Sequence, residues 1–198
     1  MNHETANAIC DELASWLAEQ RELAWSTRLP SRAPDFVPLP EDLSPVLVQA
    51  LGARGIKALY RHQRKAYELA RARKDLVVVT PTASGKSLCY NLPVLQTLLE
   101  EPEGRALYLF PTKALSQDQQ SALNEVLLGG DIGVAINTYD GDTPADIRTK
   151  ARTSGRIIIS NPDMLHAGIL PNHTKWVKFF SNLRYVVVDE LHAYRGVF

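Results

Sequence analysis

Residues 80–87, Thr-Pro-Thr-Ala-Ser-Gly-Lys-Ser, have the composition of a phosphate-binding loop and directly follow the apolar run 76–79. Such a loop needs backbone N–H groups around the oxyanions, a small residue before a lysine, an ammonium over the terminal phosphates and a hydroxyl for Mg²⁺. Gly85, Lys86 and Ser87 supply the last three. Because Thr80 replaces the usual first glycine, the prediction of a nucleotide site needs support from a second motif.

That motif is the apolar run 185–188, which ends in Asp189 and Glu190. Two carboxylates at the C-terminal end of a strand suit phosphoryl transfer: Asp189 helps to hold Mg²⁺, while Glu190 orients and deprotonates the attacking water. The two motifs together predict a nucleoside triphosphate site with Lys86, Asp189 and Glu190 as its catalytic residues.

Composition limits the other functions that this chain can have. Its 198 residues, 45% of them apolar, can bury one good core and at most a small second domain. With 22 basic and 22 acidic residues the net charge is zero, so any nucleic-acid site must be local. Cys10 and Cys89 lack metal-like spacing, which predicts reduced thiols. Without a long apolar run or a leader-like N-terminus, we expect a cytoplasmic protein that does not contact a membrane.

The chain divides into an N-terminal extension, residues 1–40, and a domain over 41–198. The extension is predicted to contain an amphipathic helix within Thr5–Trp25 and a proline-rich strap over Leu29–Pro40. After residue 56 the pattern alternates and predicts an α/β domain with a mainly parallel sheet covered by helices on both faces. The predicted strands are 76–80, 106–110, 132–137, 156–160 and 184–189, and the helices are 86–100, 114–128, 144–150 and one from 162.

Polar and proline residues follow four of these strands, and the resulting loops should gather at one sheet edge, where parallel sheets bind ligands. Thr143-Pro144 and Asn161-Pro162 each read as an N-cap followed by proline, which leaves free N–H groups for phosphates. Each loop taken singly also fits an ordinary helix start. Several such loops beside a nucleotide site predict that the protein binds a nucleic-acid backbone independently of base sequence.

Six blocks occur in a fixed order: Gln63, 80–87, 111–115, 141–143, 161–165 and 189–192. Over residues 56–198 the sequence resembles the first RecA-like domain of a superfamily 2 DExH-box helicase. Within that group it is similar to bacterial mitomycin-repair helicases and their fungal RecQ-like relatives. The resemblance implies a RecA-like P-loop NTPase fold, ATP and Mg²⁺ as cofactors, and 3′ to 5′ separation of DNA strands in DNA repair.

The resemblance also assigns roles to residues. Gln63 would read adenine, with help from Arg61 or from Tyr60, which fits a core aromatic equally well. Lys86 would contact the β- and γ-phosphates, Ser87 and Asp189 would hold Mg²⁺, and His192 would couple the nucleotide site to the rest of the machine. The remaining nucleotide contacts would come from Thr80, Pro81, Thr82, Ala83, Ser84 and Gly85. The nucleic-acid track would comprise Pro111, Thr112, Lys113, Gly141, Asp142, Thr143, Asn161, Pro162 and Asp163.

The sequence ends at Phe198, soon after the acidic pair. By the resemblance, a later coupling motif and a second RecA-like domain lie beyond it, so we expect slow ATP turnover and no unwinding by this chain alone. The N-terminal helix would dock on that further region or on a partner protein. The expected ligand is single-stranded nucleic acid, and only the resemblance favours DNA over RNA. The alternatives are an RNA helicase of the same superfamily, a P-loop kinase or other small NTPase, and a nucleotide-binding interaction module without catalysis.

Overall fold

A computed structural model describes residues 3–23, 25, 27, 33–81 and 84–194. The chain divides into two compact units, Met1–Pro34 and Asp35–Phe198. The first unit contains helix α1 (His3–Glu19), which ends before the predicted limit at Trp25. Part of the predicted proline strap, residues 29–32, lies outside the described residues, and the predicted boundary at residue 40 stays a prediction.

Strands of the second unit form two sheets. The short strands β1 (Phe36–Pro38) and β2 (Ala58–Tyr60) pair antiparallel. The main sheet has the order β4-β5-β3-β6, and all its pairs are parallel. Its strands are β3 (Arg105–Leu109), β4 (Ile136–Thr138), β5 (Ile157–Ser160) and β6 (Leu183–Val188).

Helices connect these strands. They are α2 (Pro45–Ala53), α3 (Arg61–Arg71), α4 (Lys86–Glu100), α5 (Lys113–Gly130), α6 (Ala145–Ser154), α7 (Pro162–Met164) and α8 (Val177–Ser181). A π-helical turn and a 3₁₀ segment, Leu165–Ile169 and Leu170–Trp176, separate α7 from α8, and a 3₁₀ turn, Leu191–Tyr194, follows β6. The predicted helices are therefore present, although the one from residue 162 is broken.

The central strands β3 and β5 are buried on both faces, as the sequence predicted, whereas Val186 and Val188 of the edge strand β6 are exposed. Successive side chains of a strand point to opposite faces, so β3 contributes to two cores. Ala106 and Tyr108 pack in the core beneath α2 to α5, whereas Leu107 and Leu109 pack on the other face with Trp176. The α/β class with a parallel sheet flanked by helices is confirmed.

The predicted strand at 76–80 is wrong, because no described strand pairs with this segment. Val77 and Val79 are 79% and 89% exposed rather than buried. An apolar run becomes a buried strand only when neighbouring strands pair with it. Strand β6 is the outermost strand of the described sheet, so the segment 76–80 does not extend the sheet beyond it. Strand β4 also starts at Ile136, later than predicted, although Ile132 and Val134 are buried in the core.

Candidate functional site

The phosphate-loop glycine is fixed by a buried glutamine. Gly85 is the N-cap of α4 and has a φ of 75°, in the left-handed region. Gln63, only 3% exposed, donates from Nε2 to the Gly85 carbonyl at 2.9 Å and accepts the Tyr60 N–H at 2.9 Å. A Cβ at position 85 would lie 2.5 Å from that Nε2, so both φ and space require glycine.

Further hydrogen bonds shape the described part of the loop. The Thr80 and Ser84 hydroxyls lie 2.6 Å apart, and His62 Nε2 lies 3.1 Å from the Ser84 carbonyl oxygen. Lys86 Nζ donates to the carbonyls of Thr80 at 3.0 Å and Pro81 at 3.3 Å. In the described part of the chain no carboxylate forms an ion pair with Lys86, so its charge is available for phosphate. Thr82 and Ala83 lie outside the described residues.

The acidic pair is joined to the phosphate-loop helix by Tyr90. Its hydroxyl donates to Asp189 Oδ2 at 3.1 Å and also lies beside the Ser87 side chain. Burial, above all, raises the pKa of Tyr90, and the Asp189 carboxylate raises it further. The hydroxyl therefore remains protonated and able to donate at neutral pH. The two residues predicted to hold Mg²⁺, Ser87 and Asp189, thus flank one phenolic oxygen.

Glu190 adopts an uncommon backbone conformation. Its φ is 49°, in the left-handed region, which costs a non-glycine residue about 1–3 kcal/mol and often occurs at functional sites. Its N–H donates to Asp189 Oδ1 at 2.9 Å. Its Oε2 lies 3.2 Å from Nδ1 of His192, the predicted coupling residue. The structure therefore brings together all three of these residues at the end of β6.

The residues predicted to help Gln63 have other contacts. Arg61 is exposed, and its guanidinium binds both carboxylate oxygens of Asp35, at 2.5 and 2.9 Å. The Tyr60 ring stacks on Phe36 at 4.7 Å and on His62 at 5.6 Å, and it is 37% exposed. Tyr60 is therefore part of a surface stack, and the interpretation as a core aromatic is wrong.

Two of the three predicted track loops start helices as expected. Thr112 is the N-cap of α5 and accepts from Leu115 N at 3.3 Å. Asn161 is the N-cap of α7, accepts from Met164 N at 2.7 Å and is followed by Pro162 at the first helical position. Asp163 is exposed in that first turn.

The predicted cap at Thr143 is wrong, because Pro144 is the N-cap of α6. The Thr143 hydroxyl instead closes its own loop: it accepts from Asp140 N at 2.9 Å and donates to Asp140 Oδ1 at 2.8 Å. The Thr143 hydroxyl is thus bonded to the nearby Asp140 carboxylate and does not cap the start of α6.

An ion pair joins two of the track loops. Lys113, at the start of α5, donates to the carboxylate of Asp142, and both side chains are largely exposed. Their hydrogen bond, before any other cause, raises the pKa of Lys113 and lowers that of Asp142. Beneath the pair lies a cavity of about 380 Å³ between α5, β4 and the start of α6. Pro111 and Gly141 are half-buried and exposed, respectively, in the same loops.

Sequence reasoning missed three residues that organise this edge: Tyr90, His62 and Arg148. Tyr90 follows Ser87 by one helical turn, and that i, i+3 spacing could have placed them on the same face. His62 adjoins Gln63 but carries no distinguishing pattern. Arg148 binds three carbonyl oxygens of the loop before α6, a contact that only the fold creates.

The donor set fits Mg²⁺ bound together with a nucleotide. Within the described ranges no group of three or more His, Cys, Asp or Glu side chains could form a metal site. Mg²⁺ commonly takes one or two protein ligands and completes its octahedron with phosphate oxygens and water. Ser87 and Asp189, on either side of the Tyr90 hydroxyl, have the oxygen donors that such an arrangement would need.

The fold and the order of these loops define a RecA-like α/β domain. A solved structure of Mycobacterium smegmatis Lhr, bound to single-stranded DNA and AMP-PNP, shares this fold with a TM-score of 0.65 at 23% identity over 77% of this chain. The model of the DEAD/DEAH box helicase family matches residues 60–198. The chain belongs to the DEAD/DEAH box helicase family.

Several relatives are considerably more similar. The uncharacterized ATP-dependent helicase YprA of Bacillus subtilis is 56% identical over 81% of this chain, and the ATP-dependent helicase HRQ1 of Saccharomyces cerevisiae is 40% identical over 86%. A structure of the DUF1998 helicase MrfA bound to DNA and AMPPNP matches 84% of this chain with 55% identity and a TM-score of 0.81. The chain spans 22%, 16% and 23% of these three proteins, respectively.

Proposed function

We propose that this chain is the ATP-binding half of an ATP-dependent DNA helicase or translocase, which uses ATP hydrolysis to separate strands 3′ to 5′ in DNA repair. One observation carries the proposal: Tyr90, one turn after the phosphate loop, donates to Asp189, 99 residues later in the sequence. This contact places the phosphate loop and the acidic pair at one edge of the sheet. Such a juxtaposition is what phosphoryl transfer from a nucleotide requires.

The residues divide the chemistry among them. The Lys86 ammonium binds the β- and γ-phosphates, and Gln63, already anchored to Gly85, receives the adenine. Ser87 and Asp189 hold Mg²⁺, which supplies neutralisation of phosphate charge when it is bound. The Glu190 carboxylate accepts the proton of the attacking water. His192, whose Nδ1 lies 3.2 Å from Glu190 Oε2, couples the nucleotide site to the rest of the protein.

The nucleic-acid strand follows the adjacent loops at the same edge. Lys113 and the helix starts at Thr112 and Asn161 offer an ammonium and backbone N–H groups to phosphates. The ligand in the similar MrfA structure is DNA, which supports single-stranded DNA as the ligand here. Gly141–Thr143 completes the track.

Other parts of the proposal concern the remainder of the molecule. Residues 41–198 form the helicase ATP-binding domain, and the helix within residues 1–40 docks on the further C-terminal region that the family resemblance implies or on a partner protein. The protein acts in the cytoplasm, which suits its two free cysteines. No helix of the described residues is both long and apolar enough to cross a bilayer.

The test separates nucleotide binding from hydrolysis. We expect Lys86→Ala to weaken ATP binding, and Glu190→Gln to retain binding but to abolish hydrolysis stimulated by single-stranded DNA. Lys65→Ala, on the exposed face of α3, is the matched control and should change neither. Full hydrolysis by Glu190→Gln would exclude the proposed base. In the full-length protein, ATP binding without any turnover would indicate an interaction module, and stimulation by single-stranded RNA alone would indicate an RNA helicase.

A further inference from the structure

A basic cavity lies apart from the nucleotide site, between α6 and the helical segment that follows α7. It has a volume of about 220 Å³, and its lining includes Arg148, Arg152 and Lys175 together with Tyr139 and Asn172. A water molecule occupies about 30 Å³ in the liquid, so the cavity has room for a tetrahedral oxyanion with some hydration. We call these five residues and the space between them the basic cavity.

The positive charge of the basic cavity is not compensated by the protein. No acidic side chain lines it, and none of its three cations forms an ion pair within the described ranges. The chain as a whole is neutral, so this local excess does not follow from composition. Concave sites lined by charge of one sign concentrate ligands of the opposite sign. The basic cavity is therefore suited to an anion.

Arg148 connects the basic cavity to the Gly141–Thr143 loop. Its Nε donates to the Thr143 carbonyl at 2.8 Å, and its Nη2 donates to the carbonyls of Gly141 at 2.9 Å and Asp140 at 3.1 Å. The guanidinium carbon lies 5.6 Å from the centre of the Tyr139 ring. Its Nη1 has no hydrogen-bond partner among the described residues, so one edge of the guanidinium remains free to donate.

The other polar groups of the basic cavity also have unused donors. Among the described residues the Arg152 side chain makes one hydrogen bond, from Nη2 to Thr149 Oγ1 at 3.1 Å. Lys175 makes none within the described part of the chain, and Asn172 Nδ2 donates to the Gly168 carbonyl at 3.1 Å. Arginine and lysine donors of this kind are the principal ligands of phosphate groups in nucleic-acid backbones.

We propose that the basic cavity binds a phosphodiester group of the nucleic-acid strand as that strand leaves the Gly141–Thr143 loop. The inference rests on the proposed function, because that loop is part of the proposed nucleic-acid track. It extends the track to residues outside the motifs, namely Arg152 and Lys175, with Arg148 contacting both loop and phosphate. The same chemistry could bind free phosphate, so the test must distinguish the two sources.

The experiment measures binding of a fluorescent single-stranded DNA by the whole chain at several salt concentrations. Arg152→Gln with Lys175→Gln should lower affinity about tenfold and reduce the slope of log K against log salt by about 0.7 to 1.4, since each phosphate contact on a single strand contributes about 0.7. Lys65→Gln with Lys150→Gln makes the same charge change on exposed residues outside the basic cavity, and we expect it to leave the slope nearly unchanged. Arg152→Lys with Lys175→Arg, which preserves charge, should restore most of the affinity.

Each outcome decides between alternatives. Equal losses in the cavity and control variants would overturn the proposal while leaving DNA binding by the track intact. Absence of DNA binding by the unmodified chain would overturn both the proposal and the DNA-binding part of the proposed function. Inorganic phosphate, tested against sodium chloride at matched ionic strength, should not compete at millimolar concentrations. If phosphate abolished the difference between the cavity variant and the unmodified chain, the free anion would be the ligand and the strand assignment would be wrong.

Discussion

The hydroxyl of Tyr90 donates a hydrogen bond to Asp189 Oδ2 at 3.1 Å and also lies 3.2 Å from Gln119 Oε1. Tyr90 belongs to the helix that begins at the phosphate loop, Asp189 ends strand β6, and Gln119 lies on α5, the helix that starts at Lys113. One phenol thus contacts both the proposed nucleotide site and the helix that begins at the proposed nucleic-acid track.

Replacing Tyr90 with Phe removes the donor that orients the Asp189 carboxylate. Because such outer-shell partners commonly change metal affinity about 10–100-fold, we expect the Mg²⁺-dependent part of nucleotide affinity to fall about tenfold. Affinity measured in EDTA should not change. The raised pKa keeps Tyr90 protonated below its ordinary value of 10, so the effect should be constant from pH 6 to 9. Titration with a fluorescent nucleotide at fixed Mg²⁺ concentrations measures both quantities.

Tyr185→Phe is the matched control, because its hydroxyl on β6 contacts Thr97 Oγ1 at 3.0 Å rather than the acidic pair. It should leave Mg²⁺ dependence unchanged. An equal loss of affinity with and without Mg²⁺ in Tyr90→Phe would mean that the phenol supports the loop and not the metal ligand.

Gly85→Ala tests the fit between the phosphate loop and Gln63. The new Cβ would displace Gln63 Nε2, which could move only by giving up its hydrogen bond to the Gly85 carbonyl. Gly55 has nearly the same φ, 73°, but nothing within 4 Å of its Cβ position. We expect Gly55→Ala to lower the free energy of unfolding by about 1–2 kcal/mol through conformational strain alone.

Gly85→Ala should produce that strain together with a large loss of nucleotide affinity, whereas Gly55→Ala should bind nucleotide normally. Urea denaturation and nucleotide titration of the two variants provide the comparison. Normal affinity in Gly85→Ala would show that the contact with Gln63 does not shape the nucleotide site.

Asp142→Asn tests whether this carboxylate competes with phosphate for Lys113. If the ion pair must open for DNA to bind, the variant should bind single-stranded DNA several-fold more tightly and with a salt slope steeper by about 0.7. Lys113→Gln should do the opposite. Because the pKa of Asp142 lies below its ordinary value of 3.8, the pair is fully formed above that value and is lost only as the pH falls below it. The effect of this pair on DNA affinity should therefore not change with pH between pH 6 and 8.

Weaker binding by Asp142→Asn would contradict the competition and would indicate that Asp142 contacts the nucleic acid directly. Asp146→Asn, in the exposed first turn of α6, is a matched removal of charge at a residue that forms no ion pair with any described residue. It serves to correct for the change in net charge.

The two thiols should differ strongly in reactivity. Burial above all raises the pKa of Cys89 to about 11, whereas Cys10 is exposed. Since the thiolate is the reactive form, we expect one thiol to react quickly with a disulfide reagent at pH 8 and the second only after denaturation. Cys10→Ser should remove the fast phase. A fast phase that persists in this variant would show that Cys89 is accessible in the folded chain.

The class of the fold and the expected chemistry of the site both follow from short stretches of the sequence. Three features are recognised from neighbouring residues alone, because adjacent residues specify their local backbone geometry. They are Gly85-Lys86-Ser87, the Asp189-Glu190 pair and the Asn161-Pro162 cap. The alternation of apolar runs and helices predicted the parallel sheet. These features depend on short-range sterics and periodicity, so they can be read without knowing what lies across the fold.

Which distant residues contact one another depends on the packing of the whole chain. The apolar run at 76–80 predicted a strand, but strand pairing requires a neighbour that local sequence does not specify. Thr143 was predicted to cap a helix, but in the folded loop its hydroxyl bonds to Asp140. Arg61 was predicted to help bind adenine, but its guanidinium binds Asp35. Tyr90 with Asp189 and Arg148 with its three carbonyls depend on contacts between elements far apart in the chain. Such contacts come from packing of whole elements, which individual residue patterns do not encode.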